Sequence, residues 1–247
     1  MSAPRTVVLV HGAWHGAWCF SALQHALDER GVPSLAVDLP GHGASTAPLG
    51  DLVGDARHVA EVVDLLRERR PDTAPVLVGH SYGGAVVTEA ALHSQVHHLV
   101  YLAAFALDEG ESVGSFLRSA PPAAALLDQC VVAAPDTPGR PPSTVLRRDD
   151  QTVQALYGDC HPAEAAAALE RLTPQPVDTM RQRITGDARS TTPSTYVVCR
   201  NDRAVAPAHQ ELMAARCTAT VRLDADHSPF LSAVEPVADL LAALARS

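Results

Sequence analysis

Ser81 stands in Gly79-His80-Ser81-Tyr82-Gly83, a G-x-S-x-G pattern preceded by the apolar run Val76 to Val78 and followed by the helix-like stretch Ala85 to His93. Strand, sharp turn and helix are the context in which this pattern lifts a serine hydroxyl clear of the backbone. Glycine weakens strands and helices alike, so Gly79, Gly83 and Gly84 around one residue mark a corner too tight for side chains. A serine hydroxyl is a weak nucleophile until a base takes its proton, and histidine has the pKa for that near neutrality. Among twelve histidines, His227 in LDADHSPF follows the last strand-like run. A loop at the carboxyl edge of a sheet can there reach the Ser81 corner. His11, His15, His42 and His80 share that edge but sit in glycine-rich turns, which predicts packing roles; His25, His58, His93, His97 and His98 read as surface residues in or beside helices. An imidazole base needs a carboxylate to fix its tautomer. Asp202 in VVCRNDRAV is the candidate, Asp108 after the preceding strand is its rival, and Asp224 and Asp226 stand too close to His227 in sequence.

Negative charge that develops on a carbonyl oxygen needs prepositioned donors, usually two backbone N–H groups. The N–H of Tyr82, directly after the serine, supplies one. The loop HGAWHGAW (11 to 18) supplies the other from Ala13, because Gly12 leaves the backbone open to a ligand. The doubled HGAW also suggests a metal site, but it lacks a third and fourth ligand at sensible spacing, so no metal and no cofactor are expected.

The elements that must hold these residues follow from hydrophobic periodicity. Thr6 to Val10 reads as a strand, Phe20, Leu23 and Leu27 as one helix face closed by Gly31, and Ser34 to Val37 as a second strand. Leu52, Ala56, Val59, Val63 and Leu66 mark a helix; Leu99 to Phe105, Tyr196 to Cys199 and Val221 to Leu223 mark strands. A last helix opens near Pro236 with Val237, Leu240, Leu241 and Leu244 on one face. Unbroken apolar strands alternating with amphipathic helices predict an α/β fold with a mostly parallel sheet covered on both faces. The rhythm breaks between about 107 and 192, where AAPDTPGRPPS is a proline-rich loop and HPAEAAAALERL a helix opened by Pro162. The expected organisation is a core of 1–106 and 193–247 with 107–192 inserted as a mostly helical cap.

A chain of 247 residues, 47% hydrophobic, can bury a sizeable core. Its formal charge of −9 comes from 28 acids and 19 bases, and no basic run exceeds two arginines. Nucleic acid and acidic membrane surfaces are therefore not expected partners. Every base is arginine, which excludes Schiff-base, P-loop and pyridoxal chemistry that needs a lysine amine. The Arg, Ala and Pro bias suggests a GC-rich bacterial genome. Five scattered cysteines, an odd number without metal-like spacing, predict reduced thiols and a cytoplasmic location. The opening MSAPRTVVLVHG is too short in apolar residues for a signal sequence, and no run of about 18 apolar residues occurs.

LVHGAWHGAWCF, DLPGHGAS, LVGHSYGG, the Asp202 loop and DHSPFLS together resemble the α/β-hydrolase superfamily. Within it they are similar to the branch of plant methylesterases, hydroxynitrile lyases and bacterial esterase relatives. LYGDCHPAEAAAALERLTPQP (156 to 176) resembles a cap segment of that branch, so the likeness covers most of the chain and is weakest from about 107 to 155. Ser81, Asp202, His227 is also the chain order of α/β-hydrolases. The resemblance implies Ser81 as nucleophile, His227 as general base and acid, Asp202 as orienting acid, and Ala13 and Tyr82 as oxyanion donors. Lyase members carry threonine where this chain has Gly12 and lysine where it has Ser228, and both departures favour ester hydrolysis. The expected reaction is hydrolysis of a carboxylic ester of a small, largely apolar molecule through an acyl-serine. A lactonase, thioesterase, lyase or natural-product tailoring enzyme on the same triad is the alternative, and a ligand receptor a further one. Gly12, Trp14, Phe105, Phe116, Leu126, Leu156, Tyr157 and Phe230 are expected at the substrate pocket. Of the cap residues Phe116, Leu117, Leu126, Leu127, Leu156 and Tyr157, about half are expected to bind the cap to the core instead.

Overall fold

The computed structural model describes residues 3–71 and 73–247; Met1 and Ser2 of the opening stretch lie outside them. In chain order the strands are β1 (Val7–Val10), β2 (Ser34–Val37), β3 (Val76–His80), β4 (His98–Leu102), β5 (Val131–Ala133), β6 (Ser143–Leu146), β7 (Gln175–Pro176), β8 (Ser194–Cys199) and β9 (Ala219–Leu223). The helices are α1 (Ser21–Glu29), α2 (Leu52–Arg69), α3 (Gly83–Ala90), α4 (Val113–Ser119), α5 (Asp150–Leu156), α6 (Pro162–Glu170), α7 (Pro207–Ala214), α8 (Pro229–Ser232) and α9 (Val234–Arg246).

Six strands form one sheet in the order β2-β1-β3-β4-β8-β9, and every neighbouring pair is parallel. The inner strands β1, β3, β4 and β8 are buried almost throughout because both faces are covered, while the edge strands β2 and β9 are partly exposed. Val8 and Val10 belong to the core shared with α2 and α3, while Val7 and Leu9 belong to the core shared with α1 and α9. Strand order reverses between β1 and β3, and at such a reversal loops leave the carboxyl edge in opposite directions and open a crevice. The HGAW loop leaves β1 on one side of it and the serine corner leaves β3 on the other.

Between β4 and β8 the chain leaves the sheet. This insertion carries α4, α5, α6 and a small antiparallel sheet ordered β5-β6-β7. The proline-rich stretch expected as a loop is the connection of the β5–β6 hairpin. Three helices begin with chemistry visible in sequence: Asp51 accepts from Gly54 N–H at α2, Ser112 and Ser115 make a reciprocal box at α4, and Pro162 opens α6. No helix among the described residues is long and apolar enough to cross a membrane.

The glycines at the β3–α3 corner are there because backbone meets backbone. A Cβ on Gly79 would stand 2.4 Å from the Gly83 carbonyl oxygen, one on Gly83 2.6 Å from that of Val10, and one on Gly84 2.8 Å from that of Phe105. Gly31 differs: it has a φ of +65° but open space around it. We therefore expect Gly83→Ala to cost about 3 kcal/mol or more by forcing α3 off β1, against about 1 kcal/mol for the conformational penalty of Gly31→Ala. Chemical denaturation of the two variants checks this, and equal losses would show that the corner has slack.

Candidate active site

Ser81 directly follows β3 with φ 51°, in the left-handed region that strains a side-chain-bearing residue. Backbone bonds on both sides hold it there. Its N–H donates to Leu102 O (3.3 Å), and its carbonyl accepts from Gly84 N–H and Phe105 N–H, both at 3.0 Å. The corner is thus tied to the end of β4 as well as to its own helix.

Asp202 and His227 lie in the loops after β8 and β9, and the pairing of those strands brings them together. His227 Nδ1–H donates to Asp202 Oδ2 at 2.7 Å, with both side chains buried. This leaves His227 Nε2 as the basic nitrogen, without a protein partner among the described residues. Asp202 is held by three further donors: Gln210 Nε2–H to Oδ2 (2.7 Å), and Ala204 N–H (2.7 Å) and Val205 N–H (2.9 Å) to Oδ1. Gln210, fully buried on α7, also accepts from Cys199 N–H at 2.9 Å and so ties the acid to the end of β8. Nothing in the sequence singled out Gln210, since a glutamine eight residues past an acid carries no motif. The rival Asp108 is engaged elsewhere, with Arg189 at 2.5 Å and Arg216 at 3.2 Å. Asp224 pairs with Arg200, and Asp226 shapes the His227 loop by accepting from Ser228 N–H (2.9 Å) and Ser232 Oγ–H (2.6 Å).

The N–H groups of Ala13 and Tyr82 donate to no protein acceptor among the described residues, and both residues line the cavity that Ser81 opens into. Gly12 lies beneath them. A Cβ there would sit 2.8 Å from Ser81 Cβ and 2.9 Å from His80 Nδ1, so glycine is what lets the two loops approach. The cavity has a volume of about 490 Å³. Its walls are largely apolar, among them Trp14, Phe105, Leu117, Leu127 and Val205, with Arg118, Asp128, Arg181, His209 and Thr144 among the charged and polar members.

Several expected pocket residues lie behind the wall instead. Phe116 is buried against Phe105 and His209, with the Arg216 guanidinium over its ring. Leu126 packs against the core, and Leu156 is buried there. Tyr157 turns its hydroxyl to His15 Nε2 at 2.7 Å, and Phe230 is enclosed by Phe20, His15 and His80. The cap residues among them are large side chains packed toward the core, while Phe230 belongs to the core shared with α1 and α9; both gain burial without facing substrate. Loop residues that sequence periodicity could not assign, such as Pro122, Ala123 and Ala125, complete the wall.

The four loop-edge histidines form a buried layer behind the serine. His11 donates from Nδ1 to Gly12 O (2.8 Å) and accepts from Leu39 N–H at Nε2 (3.1 Å); burial, with His42 nearby, holds its pKa down to about 3. His15 donates from Nδ1 to Ala13 O (2.8 Å), and burial holds it down to about 4. Burial also places His80 well below the ordinary histidine range; its Nε2–H holds the His227 carbonyl at 2.8 Å, while its Nδ1 is buried without a partner. Burial lowers His42 too, opposed by the backbone carbonyl of Pro40 and the side-chain Oε1 of Gln175. On the other side of the corner, burial pushes the Asp55 carboxyl up to about 7, although it accepts from Tyr82 O–H at 2.7 Å.

A family model described as the alpha/beta hydrolase family matches residues 7–240. The chain belongs to the α/β-hydrolase family. It is 30% identical over 239 residues to the alpha/beta hydrolase nvfD of Aspergillus novofumigatus, covering 92% of this chain and 90% of that one. It is 38% identical over 117 residues to the carbendazim hydrolyzing esterase of Nocardioides sp. strain SG-4G, a match that spans 47% of this chain and 48% of the relative. Among solved structures, the methylesterase MES16 of Arabidopsis superposes with a TM-score of 0.79 at 24% identity, covering 96% of this chain and 97% of that one, which shows the shared fold. Esterases, a methylesterase and a pyrethroid hydrolase are among the relatives this α/β-hydrolase resembles.

The buried titratable groups give this hydrolase an acid-sensitive stability. A histidine whose folded pKa lies below its unfolded value of about 6.5 lets the unfolded chain bind more protons, so stability is complete above 6.5 and falls as pH drops. From pH 7 to 5, His11 and His15 each remove about 2 kcal/mol. Asp55, raised, has the opposite sign: it protonates in the folded state first and restores about 2 kcal/mol over the same interval. The expected net is a fall in Tm from pH 7 to pH 5, steeper in Asp55→Asn. Thermal unfolding across that range checks both, and a Tm that rises on acidification would contradict the assignment of neutral buried histidines.

Proposed function

We propose that the protein hydrolyses an ester of a small, largely apolar molecule through an acyl-Ser81 intermediate, with residues 107–192 acting as a cap over the core. The observation that carries this reading is the 2.7 Å bond from His227 Nδ1 to Asp202, which leaves Nε2 as the base on a ring 4.6 Å from that of His80, the residue before the strained Ser81. In the first half-reaction Nε2 takes the Ser81 proton as Oγ bonds to the substrate carbonyl carbon. The carbonyl electron pair moves to oxygen, where the N–H groups of Ala13 and Tyr82 stabilise it. Collapse of this intermediate breaks the ester C–O bond, and the alcohol leaves with the proton from His227. Water then gives its proton to His227 and attacks the acyl carbon, and Ser81 departs reprotonated as the carboxylic acid is released. No cofactor takes part. Gly12 supports hydrolysis over the lyase variant, because a threonine at that position would set its Cβ against Ser81 and His80.

An organophosphonate should add one label per chain, on Ser81, and Ser81→Ala should abolish both labelling and turnover of p-nitrophenyl esters. Asp202→Asn should lower kcat by about 10³- to 10⁴-fold, through loss of the imidazole's orienting charge, while Asp108→Asn stays near wild type. A label mapped to another residue, or greater damage from Asp108→Asn, would sink the mechanism.

Substrate choice follows from the wall of the cavity. Each methylene added to the acyl or alcohol group should raise kcat/KM by about fourfold, the equivalent of about 0.8 kcal/mol, until the cavity is filled. Esters that put a charge against the inner wall should be poor substrates. A flat profile across a chain-length series, or a preference for charged esters, would show that this wall does not receive the substrate.

A further inference from the structure

Trp14 follows the oxyanion donor Ala13 and has a φ of 63°, one of three non-glycine residues in the left-handed region among those described. A conformation of that kind persists only where its surroundings hold it. Here every hydrogen-bonding group of Trp14 is bound by the insertion. Its N–H donates to Gln175 Oε1 at 3.2 Å; its carbonyl accepts from Thr173 N–H at 2.8 Å and Thr173 Oγ–H at 3.3 Å; its indole Nε1–H reaches Thr144 O and Oγ1, both at 3.2 Å. Thr144 and Gln175 are direct partners in the β6–β7 pairing, so the small sheet presents both acceptors in fixed register.

The Gln175 amide is itself fully oriented and buried. Its Nε2–H donates to Thr179 Oγ1 at 3.0 Å, whose own hydrogen goes to Pro176 O at 2.6 Å, so Oε1 must face the core. There it accepts from His42 Nε2–H at 3.0 Å as well as from Trp14 N–H, joining the loops that follow β1 and β2. The peptide that donates from Trp14 N–H is the one that carries Ala13 O, which His15 holds from the other side at 2.8 Å. The Ala13 N–H belongs to the preceding peptide, whose Gly12 O is held by His11 Nδ1–H at 2.8 Å, so the two planes meet at the Ala13 Cα and Gln175 fixes the far side of that joint.

We infer that Gln175 is a positioning residue for the oxyanion hole, through which the seated insertion sets the direction of the Ala13 N–H. The insertion then does more than shape the pocket: its docking and the assembly of the donor pair are one event. This rests on the serine-hydrolase reading above.

Gln175→Met, similar in length but without the acceptor, is the test, with p-nitrophenyl esters as substrate and a trifluoromethyl ketone as a reversible mimic of the tetrahedral intermediate. We expect kcat to fall about 10- to 100-fold, part of the effect of losing a whole oxyanion donor. KM should move less than about threefold, and affinity for the ketone should fall by the same factor as kcat/KM. If Gln175→Met does not fold, Gln175→Asn, which keeps the amide but withdraws it by one methylene, should give the same pattern. A folded variant that keeps its kcat and ketone affinity, or whose loss is confined to KM, overturns the inference alone. Turnover that survives Ser81→Ala overturns the serine-hydrolase reading and the inference with it.

Discussion

The contact on which the rest depends is the approach of bare backbone to bare backbone at the end of β3. With no Cβ on Gly79, Gly83 or Gly84, the first turn of α3 sits against the carbonyls of Val10 and His11 and against Phe105. That approach strains Ser81, presents it at the crevice, and brings the β1 loop within reach so that Ala13 and Tyr82 face one cavity. Gly12 repeats the device from the opposite side. The site is therefore a property of main-chain packing before it is one of side chains. A substitution that merely adds a methyl group at this corner presses on the backbone that carries Ser81 and both proposed oxyanion donors.

Behind the corner the protein tolerates polar side chains in its interior by giving them backbone partners. His11 and His15 each saturate both ring nitrogens in neutral form, and so act as struts for turns that have few apolar residues of their own. His80 differs, because one of its nitrogens is orphaned and the other supports the His227 carbonyl. Its burial in uncharged form also means that it adds no positive charge 4.6 Å from the His227 ring.

Much of this architecture was legible in the sequence. Strands buried on both faces read as apolar runs, and the G-x-S-x-G corner announced itself through glycines that no helix or strand would otherwise choose. Strand boundaries were less clear: Phe105, read as the end of a strand, lies beyond a turn at Ala103 with φ 47° and lines the cavity. The insertion was the poorest ground. The strands β5 to β7 have between two and four residues, too few for a period to show. Its aromatic residues gave no sign of which face they serve, and Phe116 and Tyr157 went to the seam while Leu117 and Leu127 reached the cavity. Gln175 and Gln210 were invisible for another reason. A neutral amide has no charge, period or motif, and its importance lies wholly in what the fold sets opposite it.

The grip of β6 and β7 on Trp14 divides the insertion into two classes of position. Most of its wall can change to suit a different molecule, since an apolar surface of similar volume serves as well. Thr144 and Gln175 are not free in that way, because the loop they hold belongs to the core. A foreign cap grafted onto this scaffold would inherit the substrate preference of its donor only if it also brought two acceptors in that same cross-strand register. Loop length and hydrophobicity, matched alone, would deliver a lid over a disordered threshold.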